Sequence, residues 1–339
     1  MFHSLRVADL VEEAPDARSI VFEVPPALKD EFNYSAGQFL TVRVTCNGEP
    51  VQRCYSLSSA PACDADCRVT VKRVRGGRVS NWLLDRLRIG DRMDVMGPQG
   101  RFVLDRADTP LLLFAAGSGV TPVLSILKTA LATTSRSATL LYANRSAASV
   151  IFRDELAALQ RANPRRARVI HRLDDEHGQL DERSVHALGA ENRSASCYVC
   201  GPGPFMALVE RVLVDSGVDA ERIRTERFTF GASGSLASHG PLDGGSVPDY
   251  VDVELRGLRH RVAYRSGQTL LQAARDAGLD APYSCEEGFC GCCAGDLLEG
   301  KVSMAADDAL SEAERRRGMI LACQSRPLTE RCAFRFVDS

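Results

Sequence analysis

The stretch Cys285-Glu-Glu-Gly-Phe-Cys290-Gly-Cys-Cys293 is the most informative part of this 339-residue chain. Its first, sixth and ninth residues are cysteines in the spacing C-x4-C-x2-C, which brings three thiolates together from one tight loop. Two glycines in the loop, Gly288 and Gly291, allow the backbone to turn closely and to direct N–H groups toward sulfur atoms. The spacing therefore predicts a metal or cluster site held by a loop.

A fourth ligand is expected from Cys323, in the sequence Leu-Ala-Cys323-Gln. Three close cysteines followed by one far downstream is the plant-type spacing that holds a 2Fe–2S cluster. Such a cluster accepts one electron at a time. The sequence therefore predicts a protein that transfers electrons, with Cys285, Cys290, Cys293 and Cys323 as the cluster ligands.

Zinc and disulfide bonds are the alternatives for these cysteines. Structural zinc sites use two close cysteine pairs or cysteine/histidine pairs, and the C-x4-C-x2-C loop fits that pattern poorly. The first residues, Met1–Arg6, show no secretory pattern, so we expect the twelve cysteines to lie in a reducing cytoplasm. The C-x-x-C of Cys197 and Cys200 ends an apolar strand rather than opening a helix, which disfavours a redox dithiol.

The overall composition is that of a globular protein with two or three domains. Hydrophobic residues make up 45% of the chain, and the net charge is −2. That charge argues against a nucleic-acid or anionic-membrane partner, and no apolar run has transmembrane length. The six histidines form no pair at metal-binding spacing, so the chain is not expected to activate oxygen itself.

Residues 1–106 contain short alternating segments broken by turns, which predict β-strands around 19–24, 38–44 and 67–74. One helix is predicted from Val79 to Arg88, with Trp82 among its apolar residues. Several strands with a single helix indicate a small antiparallel β-barrel.

The pattern of apolar residues changes at about residue 107. Apolar runs at 111–116, 139–143 and 197–200 alternate with helical segments near 121–133, 153–162 and 204–216. This βαβ pattern predicts an α/β domain with a parallel sheet over residues 107–227.

The remaining chain is predicted to form a linker and a third domain. Residues 228–248 are rich in glycine and serine and read as a flexible linker. A hairpin over 249–264, a short helix over 269–277 and the cysteine loop then follow. This order predicts a C-terminal α+β domain of the β-grasp ferredoxin type over 249–339.

The predicted barrel contains two segments that are candidates for one flavin site. In Arg53-Cys-Tyr55-Ser56, strand alternation places Arg53 and Tyr55 on one face, where they can meet a pyrophosphate and an isoalloxazine ring, and Ser56 offers a hydroxyl to a flavin nitrogen. The turn around Gly77 leads into a helix near Ser80, whose free N–H groups suit a phosphate. A surface arginine, a core tyrosine and a plain turn are the alternatives.

The predicted α/β domain contains two glycine loops after apolar strands. The first, Gly117-Ser-Gly119-Val-Thr121-Pro, resembles a dinucleotide loop without being G-x-G-x-x-G, and Thr121 is expected to cap the following helix. The second begins at Cys200-Gly201, at the carboxyl edge of the sheet, where open α/β folds bind ligands. Tight turns without a ligand are the alternative.

Together, the motifs Arg-Cys-Tyr-Ser-Leu-Ser-Ser, Gly-Ser-Gly-Val-Thr-Pro and Cys-Gly-Pro-Gly-Pro-Phe-Met resemble those of the ferredoxin–NADP⁺ reductase superfamily. With the cysteine loop, nearly the whole chain is similar to the reductase components of multicomponent oxygenases. The domain order is that of phenylacetyl-CoA epoxidase and 3-ketosteroid 9α-hydroxylase reductases. One departure is that the chain continues where plant-type reductases end in an aromatic residue that covers the flavin.

The resemblance implies roles for individual residues. It places FAD at Arg53, Tyr55, Ser56, Gly77 and Ser80. It places the nicotinamide cofactor at Gly117, Gly119, Thr121, Cys200 and Gly201, with Ser56 and Cys200 beside the reacting atoms.

The function expected from these observations is electron transfer from NAD(P)H through FAD and the 2Fe–2S cluster to a partner oxygenase or hydroxylase. A stand-alone ferredoxin or quinone reductase and a desaturase electron donor are alternatives. A zinc-binding regulatory protein on a degenerate reductase scaffold is a more remote one.

The preference between NADH and NADPH is not decided by the motifs. Arg145 and Ser146 follow the second strand of the α/β domain, and in the superfamily this region meets the adenosine ribose. An arginine there can bind a 2′-phosphate, whereas the resemblance favours NADH slightly. We expect both cofactors to react, with Arg145 at the nucleotide.

Overall fold

The computed structural model describes residues 1–46, 48–228, 247–288, 290–307, 309–310 and 312–337. The chain divides into two compact units, Met1–Glu226 and Arg227–Ser339. The first unit contains both the predicted barrel and the predicted α/β domain. Most of the linker predicted at 228–248 lies outside the described residues, which omit 229–246.

The N-terminal half of the first unit is an antiparallel sheet with one helix, as the sequence predicts. Its elements are β1 (Phe2–Ala14), β2 (Ala17–Glu23), β3 (Phe39–Cys46), β4 (Glu49–Ser56), β5 (Cys67–Lys72), α1 (Arg78–Arg86) and β6 (Arg92–Gln99). The strand order is β4-β3-β6-β1-β2-β5. An antiparallel bridge between Leu57 and Val69 joins the end of β4 to β5, so the two outer strands meet and the sheet closes into a barrel.

The barrel core is filled by the inward-facing residues of the alternating strands. Leu5, Ile20 and Leu40 are completely or almost completely buried, and Leu83 of α1 packs into the same cluster. Each such side chain contributes about 1.5–3 kcal/mol when it is fully removed from water. Helix α1 starts one residue before and ends two residues before the predicted 79–88, because Leu87 already has extended backbone angles.

The second half of the first unit is a five-stranded α/β layer. Its elements are β7 (Leu111–Ala116), α2 (Val120–Thr133), β8 (Ala138–Asn144), α3 (Arg153–Ala162), β9 (Ala167–Leu173), α4 (Asp174–His177), α5 (Glu182–Glu191), β10 (Ser196–Gly201), α6 (Gly203–Asp215) and β11 (Ile223–Arg227). The strand order is β11-β10-β7-β8-β9, with β10, β7, β8 and β9 parallel. Central strand β7 is buried along its whole length, which explains its uninterrupted apolar sequence.

The sequence prediction missed β9, α5 and β11. Strand β9 is an edge strand, and its sequence includes Arg168, His171 and Arg172, so it lacks the continuous apolar run of the central strands. The strand β11 has no fully buried residue. Apolar runs therefore reveal the centre of this sheet but not its edges.

Buried charged groups connect the barrel to the α/β layer. Nζ of Lys128 on α2 lies 2.7 Å from a carboxylate oxygen of Asp64 in the barrel and also contacts Glu155 of α3. Arg68 of β5 lies 3.5 Å from Glu155. Nearby, Ser125 Oγ donates a 2.6 Å hydrogen bond to the carbonyl oxygen of Ser59. These contacts hold the two halves of the first unit in one arrangement.

The second unit has the β-grasp arrangement of a sheet with a short helix packed on it. Its elements are β12 (Tyr250–Leu255), β13 (Leu258–Ala263), α7 (Leu270–Asp276), β14 (Ala294–Glu299), β15 (Val302–Met304), α8 (Glu312–Arg316), β16 (Met319–Leu321), β17 (Ser325–Pro327) and β18 (Ala333–Phe336). The main sheet has the order β13-β12-β18-β14-β16, and β15 pairs with β17. Thr269 and Gln272 form a reciprocal capping box at the start of α7.

Among the described residues, we find no helix that is both long enough and apolar enough to cross a membrane.

The junction between barrel and α/β layer gives a stability prediction. Replacing Lys128 with Ala removes the cation that Asp64 and Glu155 share, and leaves Arg68 beside Glu155 but not beside Asp64. We expect the free energy of unfolding to fall by on the order of 3 kcal/mol, as for other broken buried ion pairs. Lys29→Ala removes an exposed lysine of the barrel and is the matched control. Equal melting temperatures for the two variants would show that the Lys128 contacts contribute nothing to stability.

Candidate functional site

The sulfur atoms of the three loop cysteines and of Cys323 lie near one another, although within the described residues they do not form a group spaced to hold a metal ion. Cys285 is hydrogen-bonded to Cys290, and Cys293 to Cys323; these sulfur–sulfur contacts and burial raise the pKa of Cys285 and of Cys293. Cys285, Cys293 and Cys323 are buried. Four converging cysteines in an apolar shell are the donor set that a 2Fe–2S cluster requires.

Backbone N–H groups surround these sulfur atoms. The amides of Glu287 and Cys292 donate to Cys285 and Cys290 at 3.4 and 3.5 Å, and the amide of Cys323 donates to Cys293 at 3.4 Å. Such donors stabilise negative charge on the sulfurs. Cys292 lies between two of the proposed ligands, and its amide is one of these donors.

The loop conformation depends on residues with positive φ. Gly288 and Gly291 have φ values of 82° and 71°, and Glu286 has a φ of 55°. A Cβ at Gly288 would lie 2.8 Å from Cγ of Gln324. The strained backbone at Glu286 is held on both sides, because its carboxylate pairs with Arg275 at 2.8 Å and its carbonyl accepts from Gln324 at 2.9 Å. These contacts and the positive-φ residues therefore fix the conformation of the loop. The type of donor atom, four cysteine sulfurs, suits a 2Fe–2S cluster.

Arg53, Tyr55 and Ser56 lie together at the end of β4. Arg53 pairs with Val42 and Tyr55 with Leu40 of β3, so the two residues share one face, as alternation predicts. An Nη of Arg53 donates to the Gln52 carbonyl at 2.6 Å. Burial raises the pKa of the Tyr55 hydroxyl, which stays protonated. A planar ring beside a guanidinium is a suitable surface for a flavin and its pyrophosphate.

The Gly76–Gly77 turn leads directly into α1. Gly77 is the N-cap residue, and a Cβ there would lie 2.6 Å from Oγ of Ser80. Ser80 is buried, and its Oγ accepts a 3.2 Å hydrogen bond from the Val74 amide. Ser80 therefore shapes the turn, while the free N–H groups of the first helical turn remain the candidate phosphate donors.

The first glycine loop follows β7 at the carboxyl edge of the parallel sheet. The prediction that Thr121 caps the next helix is wrong: α2 begins at Val120, with Gly119 as its cap residue. Thr121 lies inside the first turn, and its hydroxyl donates to the Ser118 carbonyl at 3.0 Å. The carbonyl of Gly117 accepts a 3.0 Å hydrogen bond from the Tyr142 hydroxyl. The loop is thus fixed by its neighbours.

The two glycine loops touch each other through backbone atoms. A Cβ at Gly119 would lie 2.2 Å from the carbonyl oxygen of Cys200, and one at Gly201 would lie 2.8 Å from Phe205. Neither position has room for a side chain. The structure therefore brings Gly117, Gly119, Cys200 and Gly201 together at one edge of the sheet, as expected for a dinucleotide site.

Glu226 is a candidate site residue that the sequence analysis missed. Ser56 Oγ donates to a Glu226 carboxylate oxygen at 3.0 Å. Burial, and secondarily the charge of Glu226, raise the pKa of the Cys200 thiol well above its ordinary value. Glu226 thus links Ser56 of the barrel to Cys200 of β10, which were predicted separately. No sequence signal pointed to it, because the strand that carries it, β11, was itself not predicted.

Arg145 follows β8 and extends into solvent. Its side chain is 76% exposed, and an Nη lies 3.4 Å from a carboxylate oxygen of Asp16, at the turn between β1 and β2. Arg145 is therefore close to the glycine-loop edge of the sheet, where the prediction requires it, but already has an acidic partner.

Comparisons with known proteins agree with this architecture. Residues 4–104 match the family model of the oxidoreductase FAD-binding domain, residues 113–211 that of the oxidoreductase NAD-binding domain, and residues 253–328 that of the 2Fe-2S iron-sulfur cluster binding domain. The chain thus contains an FAD domain, an NAD(P) domain and a 2Fe–2S domain in that order.

Two relatives are similar over almost the whole chain. The ferredoxin reductase component of 3-ketosteroid-9-alpha-monooxygenase from Rhodococcus rhodochrous is 42% identical, covering 98% of this chain and 96% of the relative. One component of the 1,2-phenylacetyl-CoA epoxidase of Escherichia coli K12 is 35% identical, covering 97% and 96%.

A solved structure has the same three-part layout. Phthalate dioxygenase reductase, described as a modular structure for electron transfer from pyridine nucleotides to a 2Fe–2S cluster, superimposes with a TM-score of 0.62 at 27% identity, over 99% of this chain and 98% of that one. The chain therefore belongs to the iron–sulfur flavoprotein reductases of the ferredoxin–NADP⁺ reductase superfamily, the NAD(P)H-oxidising components that deliver electrons to partner oxygenases.

Proposed function

We propose that this protein carries electrons from NAD(P)H to a monooxygenase that acts on a 3-ketosteroid. The observation that carries this proposal is the 42% identity over 98% of the chain to the reductase component of such a system, compared with 35% to the epoxidase component. FAD accepts the two electrons of a hydride, and a 2Fe–2S cluster passes them on singly.

The proposed FAD site lies on the barrel. Arg53 would pair with the pyrophosphate, Tyr55 would pack against the isoalloxazine ring, and Ser56 would place its hydroxyl, which donates to Glu226 in this structure, beside a flavin nitrogen. The turn at Gly77 and the start of α1 near Ser80 supply N–H donors for a phosphate. The shared face of Arg53 and Tyr55 supports this assignment.

The proposed nicotinamide site lies between Ser56 and the two glycine loops. The loops at Gly117, Gly119, Thr121 and Gly201 offer close backbone approach to a dinucleotide. Cys200 presents a neutral thiol, because its pKa is raised, and Glu226 holds Ser56 in place through their 3.0 Å hydrogen bond. This arrangement orients the nicotinamide ring and excludes water from the reacting face.

The proposed cluster ligands are Cys285, Cys290, Cys293 and Cys323. Their convergence and the surrounding N–H donors support a cluster rather than a disulfide, and all twelve cysteines of the chain lie among the described residues as free thiols. This thiol content, together with the use of NAD(P)H, supports action in the cytoplasm. The net charge of −2 supports a protein partner rather than nucleic acid or an anionic membrane.

Reconstitution tests the proposed partner. The purified protein is mixed with NADH, a 3-ketosteroid and the remaining component of the Rhodococcus rhodochrous monooxygenase, and oxygenated steroid is measured. The matched reaction uses the other components of the Escherichia coli epoxidase and phenylacetyl-CoA. We expect faster product formation in the steroid reaction. A faster epoxidase reaction would overturn the assignment of the partner while leaving the reductase activity in place.

Replacing Cys290 with Ser tests the order of the electron carriers. We expect loss of iron and of the cluster absorption, with FAD retained because it binds to a different structural unit. Reduction of a small dye by NADH then continues, whereas reduction of cytochrome c collapses. Cys292→Ser is the matched control: it removes a thiol of the same loop outside the proposed ligand set, keeps the amide that donates to Cys290, and is expected to keep the cluster. Full cytochrome c reduction by the Cys290 variant would contradict the linear order.

Replacing Arg53 with Ala tests the flavin site. A charge-assisted hydrogen bond contributes on the order of 1.5–3 kcal/mol, so FAD binding should weaken by roughly ten- to hundredfold. The variant should purify partly without FAD and regain activity when FAD is added. Arg43→Ala removes an arginine of the neighbouring strand that pairs with Asp94 at 2.8 Å, and it serves as the control. Equal FAD occupancy in both variants would remove Arg53 from the site.

Replacing Glu226 with Gln tests its contact with Ser56. The amide keeps the shape of the side chain but loses the charge beside Ser56 and Cys200. We expect flavin reduction by NADH to slow by on the order of a hundredfold at unchanged FAD content, in the range of positioned acid–base groups. Stopped-flow measurement of flavin absorption gives the rate. Glu221→Gln, at an exposed position in the same segment, should leave the rate unchanged.

A further inference from the structure

Two buried polar groups lie without a partner near the glycine-loop edge of the parallel sheet. Neither polar atom of the Asn144 amide, at the end of β8, has a hydrogen-bond partner of good geometry within the described residues, although the Tyr142 hydroxyl lies beside it. Oδ1 of Asp16, at the β1–β2 turn, is likewise buried and unpartnered there. Asn144 is 5% exposed, so its amide is withdrawn from bulk water. Buried polar groups without partners are costly, and in a binding site they indicate the place of a polar ligand.

Positive charge surrounds the same place. Nζ of Lys72 and an Nη of Arg145 lie 3.8 and 3.4 Å from the same Asp16 oxygen. Lys72 Nζ also lies 3.7 Å from where a Cβ of Gly117 would be. Burial lowers the pKa of Lys72, although Asp16 counteracts the effect. One carboxylate therefore lies between two cations, beside the loop that approaches a dinucleotide.

In dinucleotide sites of open α/β sheets, different strand ends bind different parts of the nucleotide. The glycine loop after the first strand holds the pyrophosphate. At the end of the second strand, an acidic residue accepts from the ribose 2′-hydroxyl in NAD sites, or an arginine holds the 2′-phosphate in NADP sites. Here the second strand is β8, and it is followed by Arg145 instead of an acidic residue. The carboxylate that contacts Arg145 is that of Asp16, which belongs to the barrel and not to the α/β layer.

We propose that Asp16 determines the pyridine-nucleotide specificity of this reductase. When the nucleotide binds, the side chain of Asp16 would rotate so that Oδ1, which is buried and unpartnered here, accepts from the ribose 2′-hydroxyl of NADH, while the carboxylate charge beside Arg145 opposes binding of a 2′-phosphate. The inference rests on the proposed nicotinamide site and deepens it: NADH is the preferred donor, and the selecting residue lies outside the nucleotide domain.

The position of Asp16 is fixed by the barrel. Its carbonyl accepts a 2.7 Å hydrogen bond from the Arg73 amide, and the next residue, Ala17, pairs with Lys72 in the β2–β5 ladder. The backbone of Asp16 is therefore fixed by the sheet, and its carboxylate can move only by rotation of the side chain. A 2′-phosphate placed at Arg145 would meet a held negative charge, and like charges in contact are strongly unfavourable.

Asp175 is the competing acidic residue. Its amide donates to the Arg145 carbonyl at 3.1 Å, so it is close to Arg145 along the backbone. No ion pair joins its side chain to Arg145 among the described residues, whereas Asp16 has one. Asp175→Asn is therefore the matched variant, since it removes a carboxylate from the same neighbourhood but not from the contact.

The experiment measures kcat/KM for NADH and NADPH with dye as acceptor in the wild type, Asp16→Asn, Asp16→Glu and Asp175→Asn. We expect Asp16→Asn to raise the ratio of NADPH to NADH by on the order of tenfold or more. Asp16→Glu keeps a carboxylate at this position and should keep most of the wild-type preference for NADH. Asp175→Asn should change the ratio less than about twofold.

Calorimetry on the FAD-loaded proteins supplies a readout independent of turnover. The probes are 5′-AMP and 2′,5′-ADP, which differ only in the 2′-phosphate. Asp16→Asn should tighten binding of 2′,5′-ADP and leave 5′-AMP nearly unchanged or weaker, and Arg145→Ala in that background should abolish the gain.

Equal changes for both probes, or a selectivity change that follows Asp175 instead of Asp16, would overturn the proposal. If the wild type oxidises NADH or NADPH and Asp16→Asn leaves the ratio of the two kcat/KM values unchanged, the role of Asp16 is refuted while the nicotinamide site stands. Absence of any NAD(P)H oxidation in the wild type would instead refute the nicotinamide site on which the proposal rests.

Discussion

A lysine held between carboxylates at the barrel–sheet junction is the contact on which the first unit depends. Lys128 extends from the helix that begins at the glycine loop and binds Asp64 of the barrel. Because the proposed flavin surface belongs to the barrel and the proposed nicotinamide edge belongs to the sheet, their mutual distance depends on this junction. Transfer of a hydride requires reacting atoms within about 3–3.5 Å. The ion pair of Lys128 and the hydrogen bond of Ser125 are directional contacts that fix the orientation of one surface relative to the other.

The contacts across the junction recur at three separate places. Ser56 meets Glu226, Asp16 meets Arg145, and Ser125 meets the backbone of Ser59. In each case the barrel and the α/β layer contribute one partner. The polar groups that are proposed to select, orient and hold the nucleotide are therefore shared between the two halves, and neither half carries the site alone.

The sequence predicted the elements whose signals are local. Continuous apolar runs identified β7, β8 and β10, because central strands are covered on both faces, and the cysteine spacing identified the cluster loop. The edge strand β9 was missed because its polar residues interrupt the apolar run by which the central strands were recognised. Thr121 was misplaced because the helix begins two residues earlier, on a turn built by the glycines. Glu226 and Asp16 could not be found from the sequence, since their significance lies in partners 170 and 129 residues away.

The approach of Gly119 to Cys200 has a consequence for how such a site can diversify. The two loops meet with only hydrogen atoms between them, so position 119 excludes every side chain, including that of alanine. Variation at the proposed nucleotide site must therefore occur at other positions, such as Arg145, whose side chain is solvated, or its partner Asp16. A substitution at such a position can change which reduced nucleotide binds, while the contact between the two glycine loops stays the same.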